Sequence, residues 1–558
     1  MRSATIVVEV SCTAPRSDWL ELSCLLCAFL RHYANGGRDG AHVGLSSLFA
    51  PGRCIPQTAW TLAEATIPAI SSLLQRVVCS MRVCDMYGFY TPKGEPPEGR
   101  NAHSASERGF TAEMEEISFI PIIYTLHCGD VVNDPACDLL SGRGGVDDTN
   151  EDINSPQCYI SLLPHESLDG LWESLYYGDS IEDSARFKID LVEYVRTALT
   201  FSLAGVDPHA IVWNHLILLH GPPGTGKTSL SKALSQKLSI RLGHLFPHGT
   251  RLIEVNAHSL FSRWFSESGK QVMRLFSQIF HLASDDRGLV CVLIDEVESL
   301  AAARQSAMKG NEPSDSIRVV NTLLTQIDRL SRFRNVLVLA TSNLTDAIDD
   351  AFLDRADKKI FLGPPGLKAG HAILYSGVME LMDKRLIQIG PDCEHQLKRW
   401  GDGGSIATIG LTPHYDEETL LPESAAVWLV RIADSCANFN GRQLRKLPFL
   451  AYATCVSAMQ EYRTYYTSTS SLSLSQRHST PQPILSPTSA VPRGGESSRF
   501  AQGSPRSPNR GPTEAAVEVE MNEERGARDF PPGLSESFPA LPLSVFLDFL
   551  SKAAQKNS

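Results

Sequence analysis

No apolar run in the 558 residues reaches the roughly 18 that a membrane-spanning helix requires, so no membrane association is expected. Positive charge is also in short supply. Lys and Arg number 51 against 63 Asp and Glu, a formal net charge of −12, which opposes general binding to nucleic acid. The N-terminal Thr5-Ile6-Val7-Val8-Glu9-Val10 reads as a strand, so no secretory leader is expected. A soluble intracellular protein is therefore expected, with its 13 cysteines as reduced thiols. Cys24-x-x-Cys27 has no second such pair and no nearby His to complete a zinc set, so it reads as buried thiols on an apolar helix.

What is present is an ordinary globular composition, 42% hydrophobic and 20% charged, interrupted by one motif of high specificity. Gly221-Pro222-Pro223-Gly224-Thr225-Gly226-Lys227-Thr228 fits the phosphate-loop pattern GxxxxGK[ST] at every fixed position. The apolar Leu216-Ile217-Leu218-Leu219 precedes it, and a helix-forming run from Ser229 to Leu238 follows. In that strand–loop–helix context the glycines let backbone N–H groups close around the phosphates of ATP. Lys227 reaches the β- and γ-phosphates, Thr228 ligates Mg²⁺, and the helix N-terminus, with Ser229 in its first turn, adds a favourable dipole.

Apolar runs at 216–220, 251–257, 290–294, 335–341 and 359–362 alternate with helix-length segments. In the clearest of these, 314–330, Ile317, Val320, Leu324, Ile327 and Leu330 share one face. This order predicts an α/β fold: a five-stranded parallel sheet with helices on both faces and ligands at the carboxyl ends of its strands. The expected division is an α+β domain over 1–160, a large ATPase domain over 161–365 and a small helical lid over 366–464. Residues 465–535 are rich in Ser, Pro, Gly, Arg and Glu and read as a disordered insertion. A helix within 536–558, carrying Leu543, Leu547, Leu550 and Ala554 at helical spacing, is expected to return to the lid.

Hydrolysis needs more than a phosphate loop. Val290-Cys291-Val292-Leu293-Ile294 is a buried strand ending in Asp295, placed to hold the Mg²⁺ shell, and Glu296, placed to polarise the attacking water. A second apolar strand, Val336 to Ala340, leads to Asn343, a neutral amide that can hold the water without adding charge. Arg355, just before the fifth strand, suits phosphoryl-transfer stabilisation in a neighbouring subunit; a surface ion pair with Asp354 or Asp357 is the alternative. Arg442, opening a helix of the lid, can report the γ-phosphate to that layer, with Arg445 as rival.

These parts in this order mark the AAA+ superfamily, and their spelling resembles the pachytene checkpoint ATPase family. The resemblance rests on Gly170-Leu171-Trp172-Glu173-Ser174-Leu175, on Trp213 to Leu230, and on Leu260-Phe261-Ser262-Arg263-Trp264-Phe265-Ser266-Glu267-Ser268-Gly269-Lys270. It extends through Leu293 to Leu300, Asp354-Arg355-Ala356-Asp357 and Gly441 to Leu450. It is dense from about 160 to 460, faint before 150, and does not include 465–535. The resemblance implies a homohexameric ring that remodels HORMA-domain proteins of meiosis and the spindle checkpoint, with help from a HORMA adaptor. Such a ring works in nucleus and cytoplasm and on chromosomes, and its N-terminal domain binds client or adaptor. Trp264, flanked by Arg263 and Phe265, would be the pore grip, with Met308 to Pro313 as a weaker second contact. Two other classes fit a phosphate loop. A nucleotide-gated scaffold would not require Asp295, Glu296, Asn343, Arg355 and Arg442 together. A DNA-acting AAA+ ATPase is opposed by the net charge of −12 and by an aromatic pore loop that is not multiply basic.

Overall fold

A computed structural model describes residues 3–36, 54–55, 74–87, 116–128, 158–207, 210–257, 265–299, 315–343, 348–389, 423–475 and 541–557. At the N-terminus, β1 (Ser3–Cys12) lies between β2 (Val78–Tyr87), antiparallel to it, and β3 (Glu116–Tyr124), parallel to it. Helix α1 (Trp19–Gly36) covers this sheet because Leu22, Leu26, Phe29 and Leu30 recur on one face and bury against Ile6, Val8 and Val10. Cys27 is half-buried on that helix, and burial raises its thiol pKa. Cys24 is on the outer face and exposed, contrary to the expectation of two buried thiols. None of the described cysteines is in a disulfide.

The five expected strands are present as β5 (Leu216–His220), β6 (Thr250–Asn256), β7 (Leu289–Asp295), β8 (Val336–Ser342) and β9 (Lys358–Phe361). They are parallel in the order β6-β7-β8-β5-β9. A sixth strand, β4 (Cys158–Leu163), adds antiparallel to the β6 edge, so the sheet is larger than the five strands expected. It crosses the anticipated division at 160/161. An antiparallel edge strand needs only one partner, and nothing in its short sequence announces which.

The central strands read as unbroken apolar runs because both faces are covered. Leu216 and Leu218 of β5 point into a core with α5 (Phe265–Ala283) and α6 (Asp315–Leu330). Ile217 and Leu219 point into the opposite core with α3 (Ile181–Leu203) and α4 (Lys227–Arg241). Short helices α2 (Leu171–Ser174) and α7 (Asp350–Arg355) flank these layers.

Helices α8 (Leu367–Asp383), α9 (Glu423–Ser435), α10 (Gly441–Ser475) and α11 (Leu543–Asn557) share a further core. Leu543, Phe546, Leu547, Leu550 and Ala554 of α11 bury against Ile373, Leu374, Leu429 and Leu444. The parallel pair β10 (Ile387–Gln388) and β11 (Leu541–Pro542) ties the terminal helix in. Helix α10 runs to Ser475, eleven residues into the segment expected to be disordered from 465. The rest of that insertion, and the glycine-rich 141–152 loop, lie outside the described residues. Among the described residues no helix is long and apolar enough to cross a membrane.

His215, immediately before β5, is 3% exposed and takes φ 66°. Its Nδ1 is 2.8 Å from the Val336 carbonyl oxygen, and burial lowers its pKa to about 4. A base whose folded pKa lies below its unfolded value near 6.5 gives stability that is complete above that value. The stability is lost as pH falls, because the unfolded chain takes up the proton first. Lowering the pH from 7 to 5 should therefore cost roughly 2 kcal/mol at this site. In His215→Asn, which tolerates the positive φ, this part of the pH dependence of Tm should vanish. An unchanged slope would show that His215 does not carry it.

Candidate functional site

The phosphate loop spans β5 and α4, and its glycines are forced by close approaches. Gly221 has φ 140°, and a Cβ there would lie 2.3 Å from the Leu362 carbonyl oxygen. Gly224 has φ 79°, and a Cβ there would meet the Asn440 amide at 2.7 Å. Pro222 and Pro223 are exposed at the loop's crest. Thr225 closes the turn from within, donating to the Pro222 carbonyl at 3.0 Å. Lys227 is 5% exposed, and its ammonium donates to the Gly221 and Pro222 carbonyls at 2.9 and 2.7 Å. Burial lowers the Lys227 pKa and the nearby Arg442 charge adds to that, while Glu298 and Asp295 act in the opposite direction. Gly226 is the residue before the helix, and Ser229 is half-buried in its first turn.

At the carboxyl end of β7, Asp295 accepts from the Thr228 hydroxyl at 3.0 Å and from the Thr341 hydroxyl of β8. The Thr228 and Asp295 oxygens thus converge at the mouth of the phosphate loop, the donor set that an octahedral Mg²⁺ shared with phosphates uses. Glu296 takes φ 61°, anchors its N–H on the Thr341 hydroxyl at 3.3 Å, and is exposed in the cleft. Its side chain is therefore free to meet a water that a buried acid would not reach.

Asn343 lies one residue beyond β8, as expected from sequence, but its amide is not free. It donates to Glu298 Oε1 at 3.0 Å. The other Glu298 oxygen, Oε2, is buried without a hydrogen-bond partner among the described residues. Glu298 is a site residue that the sequence did not flag. Its signal was weak: an acid two positions after Glu296 on a short helical turn.

Arg355 stands at the end of α7 and forms a two-pronged ion pair with Asp328 of α6, at 2.6 and 2.9 Å. A third bond goes to the Ala351 carbonyl at 2.6 Å. The expected alternative partners are not used. Asp357 instead accepts from the backbone N–H groups of Asn214 and Leu216 at 2.9 and 3.0 Å, holding the start of β5.

The helical layer reaches the loop through the start of α10. Asn440 donates its side-chain amide to the Pro223 carbonyl at 3.1 Å, and the Arg442 N–H donates to the Gly224 carbonyl at 3.0 Å. Asn440 and Gln443 cap each other reciprocally at 2.8 and 2.9 Å, which fixes the amide that meets the loop. Arg442 is exposed, and its charge acts on Lys227. Arg445 turns elsewhere, to the Ser174 carbonyl, so it does not compete for the phosphates. Asn440 was missed because its partner lies 217 residues away.

Removing this latch in Asn440→Ala should raise KM for ATP about three- to tenfold with kcat nearly kept, since the bond to the Pro223 carbonyl is lost together with the cap on the Gln443 N–H. A wild-type KM would show that the latch does not assist binding.

Phe265 begins α5 and is not part of a loop. Arg263, Trp264 and the 308–313 segment lie outside the described residues.

The geometry is that of a nucleotide-hydrolysing strand-end site, and comparison with known proteins agrees. Residues 217–364 match the model of the AAA family, ATPases associated with various cellular activities. Residues 366–469 match a TRIP13-like AAA+ ATPase lid C-terminal domain. The chain is 47% identical over 338 residues to a pachytene checkpoint protein 2 homolog of Arabidopsis thaliana, covering 60% of this chain and 67% of that protein. It is 47% identical over 397 residues to the homolog of Xenopus tropicalis, covering 70% and 86%. The rice and zebrafish homologs are matched over 65% and 64% of their own length. The solved structure of Caenorhabditis elegans PCH-2 superimposes with a TM-score of 0.54 at 28% identity, covering 81% of this chain and 93% of that one. With the phosphate loop, the paired acids and the lid latch in one cleft, the chain belongs to the pachytene checkpoint protein 2 family of AAA ATPases.

Proposed function

We propose that this chain hydrolyses ATP with Mg²⁺ as a homohexameric ring and uses the energy to remodel, by partial unfolding, HORMA-domain proteins that control meiotic chromosome axes and the spindle checkpoint. The observation that carries the ATP-driven part is the phosphate loop held from two sides. Thr228 and Asp295 converge on one flank, and Asn440 and Arg442 of the lid meet the other. A loop gripped by the lid makes lid position depend on what the loop holds, which is how hydrolysis becomes movement. Family membership supports the HORMA-domain clients and an accompanying HORMA adaptor.

Each residue then has a task. Lys227, Gly226 and the first turn of α4 bind the phosphates. Thr228 and Asp295 hold the metal, which supplies charge neutralisation on those phosphates when bound. Glu296 takes the proton from the attacking water, and Asn343 orients that water once it leaves Glu298. Arg355 acts on the neighbouring subunit's nucleotide, and Trp264 grips the client chain between Arg263 and Phe265. The protein acts in nucleus and cytoplasm and on chromosomes, without direct contact to nucleic acid.

The test is ATP turnover with and without purified HORMA-domain proteins from the same cell. Stimulation by a HORMA protein is the expected result. Stimulation by DNA that fades with added salt, and none by HORMA proteins, would replace this reading with a DNA-acting one.

A further inference from the structure

Helix α4 is gripped at both ends. Its first turn carries the phosphate-binding Lys227 and Thr228. Ten residues on, roughly 15 Å along the axis by helical rise, Lys237 is 4% exposed on the side chain and surrounded by acids. Its ammonium lies 2.6 Å from Glu9 of β1, itself fully buried, and 3.0 Å from Glu173. Arg241, one turn further, lies 3.3 Å from the other Glu9 oxygen. Arg82 of β2 reaches Asp169 at 3.0 Å and Glu173 at 3.7 Å. Three acids and three bases thus balance in one cluster, contributed by the N-terminal sheet, by the 169–173 segment and by α4.

Burial alone would push the Glu9 carboxyl up, but Lys237 and Arg241 outweigh it and hold the pKa below the usual carboxylate range. Such a cluster is costly to open, because separating the partners leaves a buried charge without compensation.

The segment that carries Asp169 and Glu173 continues to the nucleotide site. Lys188 pins its turn, donating to the Trp172 and Leu175 carbonyls at 3.0 Å each. Arg445 of α10 donates to the Ser174 carbonyl. The Tyr177 hydroxyl then donates to the carbonyl of Gly226 at 3.2 Å, inside the phosphate loop. One strap, 169–177, therefore touches the N-terminal sheet, the far end of α4, the lid helix and the phosphate loop.

We propose that the Glu9–Lys237–Glu173 cluster and the strap ending in Tyr177 are positioning elements that link seating of the N-terminal sheet to nucleotide affinity at the phosphate loop. The residues act through α4 and Gly226 and touch no reacting atom. Coupling between two sites is reciprocal: if the seated sheet tightens ATP binding, bound nucleotide tightens the sheet by the same factor. A client or adaptor that pulls on the N-terminal sheet would then alter the ATP site without approaching it. The inference rests on the chain being an ATPase and needs no client.

The experiment uses the full chain, and two variants test the two ends of the linkage. Glu9→Gln with Lys237→Met neutralises the central pair together, so Arg82 and Arg241 stay balanced in number by Asp169 and Glu173 while Arg241 loses its Glu9 carboxylate. Tyr177→Phe deletes only the hydroxyl that meets Gly226. Both should raise KM for ATP, by up to about tenfold, with kcat within about twofold, because Glu296 and Asn343 follow the carboxyl ends of β7 and β8 and Arg355 ends α7, and none of them contacts the cluster. The second readout is amide hydrogen exchange in β1. ATPγS should slow exchange across Ser3–Cys12 in the wild type and leave it unchanged in the Glu9→Gln/Lys237→Met chain.

A folded double variant with wild-type KM and intact nucleotide-dependent protection overturns the proposal, as does a lowered Tm with unchanged KM, which marks the cluster as structural only. If the double variant fails to fold, Tyr177→Phe decides: a wild-type KM overturns the linkage. Wild-type turnover in the same assay without client separates these outcomes from failure of the ATPase assignment.

Discussion

Glu296→Gln should bind ATP and fail to turn it over. Lys227, Thr228 and Asp295 are untouched by the change, so affinity is kept. The side chain that accepts the water proton is gone, and positioned general bases contribute about 10²–10⁴ in rate. The substitution also suits the backbone: Glu296 sits at φ 61°, and glutamine adds no branching that would worsen that conformation. The variant should therefore accumulate with ATP bound, measurable as an unhydrolysed nucleotide retained through gel filtration. Turnover at the wild-type rate would remove Glu296 from the mechanism. Glu298 would then be the next candidate, since its Oε1 is held by the Asn343 amide at 3.0 Å and its charge bears on Lys227. Glu298→Gln measured in parallel distinguishes the two.

Arg355→Ala should be nearly as damaging, with a loss of about 10³ or more in kcat and ATP affinity within a few-fold, as for arginines that stabilise phosphoryl-transfer charge from a neighbouring subunit. In the single chain the guanidinium is engaged by Asp328, with side-chain exposures of 28% and 51% for Arg and Asp. A pair this exposed is worth at most about 1 kcal/mol, so it parks the arginine without preventing its transfer to a nucleotide next door. Asp328→Asn should accordingly leave turnover intact or raise it slightly. Mixing Arg355→Ala with Glu296→Gln subunits should restore part of the activity. Each hybrid interface can join an intact Arg355 from one chain to an intact Glu296 in the other. Absence of recovery at every mixing ratio would make Arg355 an in-chain structural residue.

The parts of this site that sequence discloses are those whose chemistry is local. Gly221 to Thr228 declares itself because eight contiguous residues must supply loop, charge and hydroxyl at once. Leu216 to Leu219 declares burial on both faces because no polar residue interrupts it. Val320, Leu324, Ile327 and Leu330 recur at the spacing of the helix they form, and all four are buried. Contacts between distant segments leave no such trace. The Asn440 latch, the Glu9–Lys237 pair at a separation of 228 residues, and the antiparallel strand Cys158–Leu163 are each set by how separately legible elements pack. Asn343 shows a subtler failure. Its position after an apolar strand was legible, but its partner Glu298 sits on another strand's exit, and only the fold brings the two to 3.0 Å. The start of the Ser-rich segment was misplaced for a related reason. Residues 465–475 have a composition that does not demand a helix, yet they prolong a helix already nucleated and packed upstream.

If the proposed function holds, ATP hydrolysis at this cleft does mechanical work on a folded HORMA-domain protein. The most direct measurement follows the fold of a purified HORMA client by hydrogen exchange while the wild-type chain, or Glu296→Gln, turns over ATP in the same vessel. Client opening in step with phosphate release is expected for the wild type, and a bound but unconverted client for Glu296→Gln. Client conversion at equal rates by both chains, or rapid ATP turnover by the wild type with the client's protection unchanged, would contradict the proposed function.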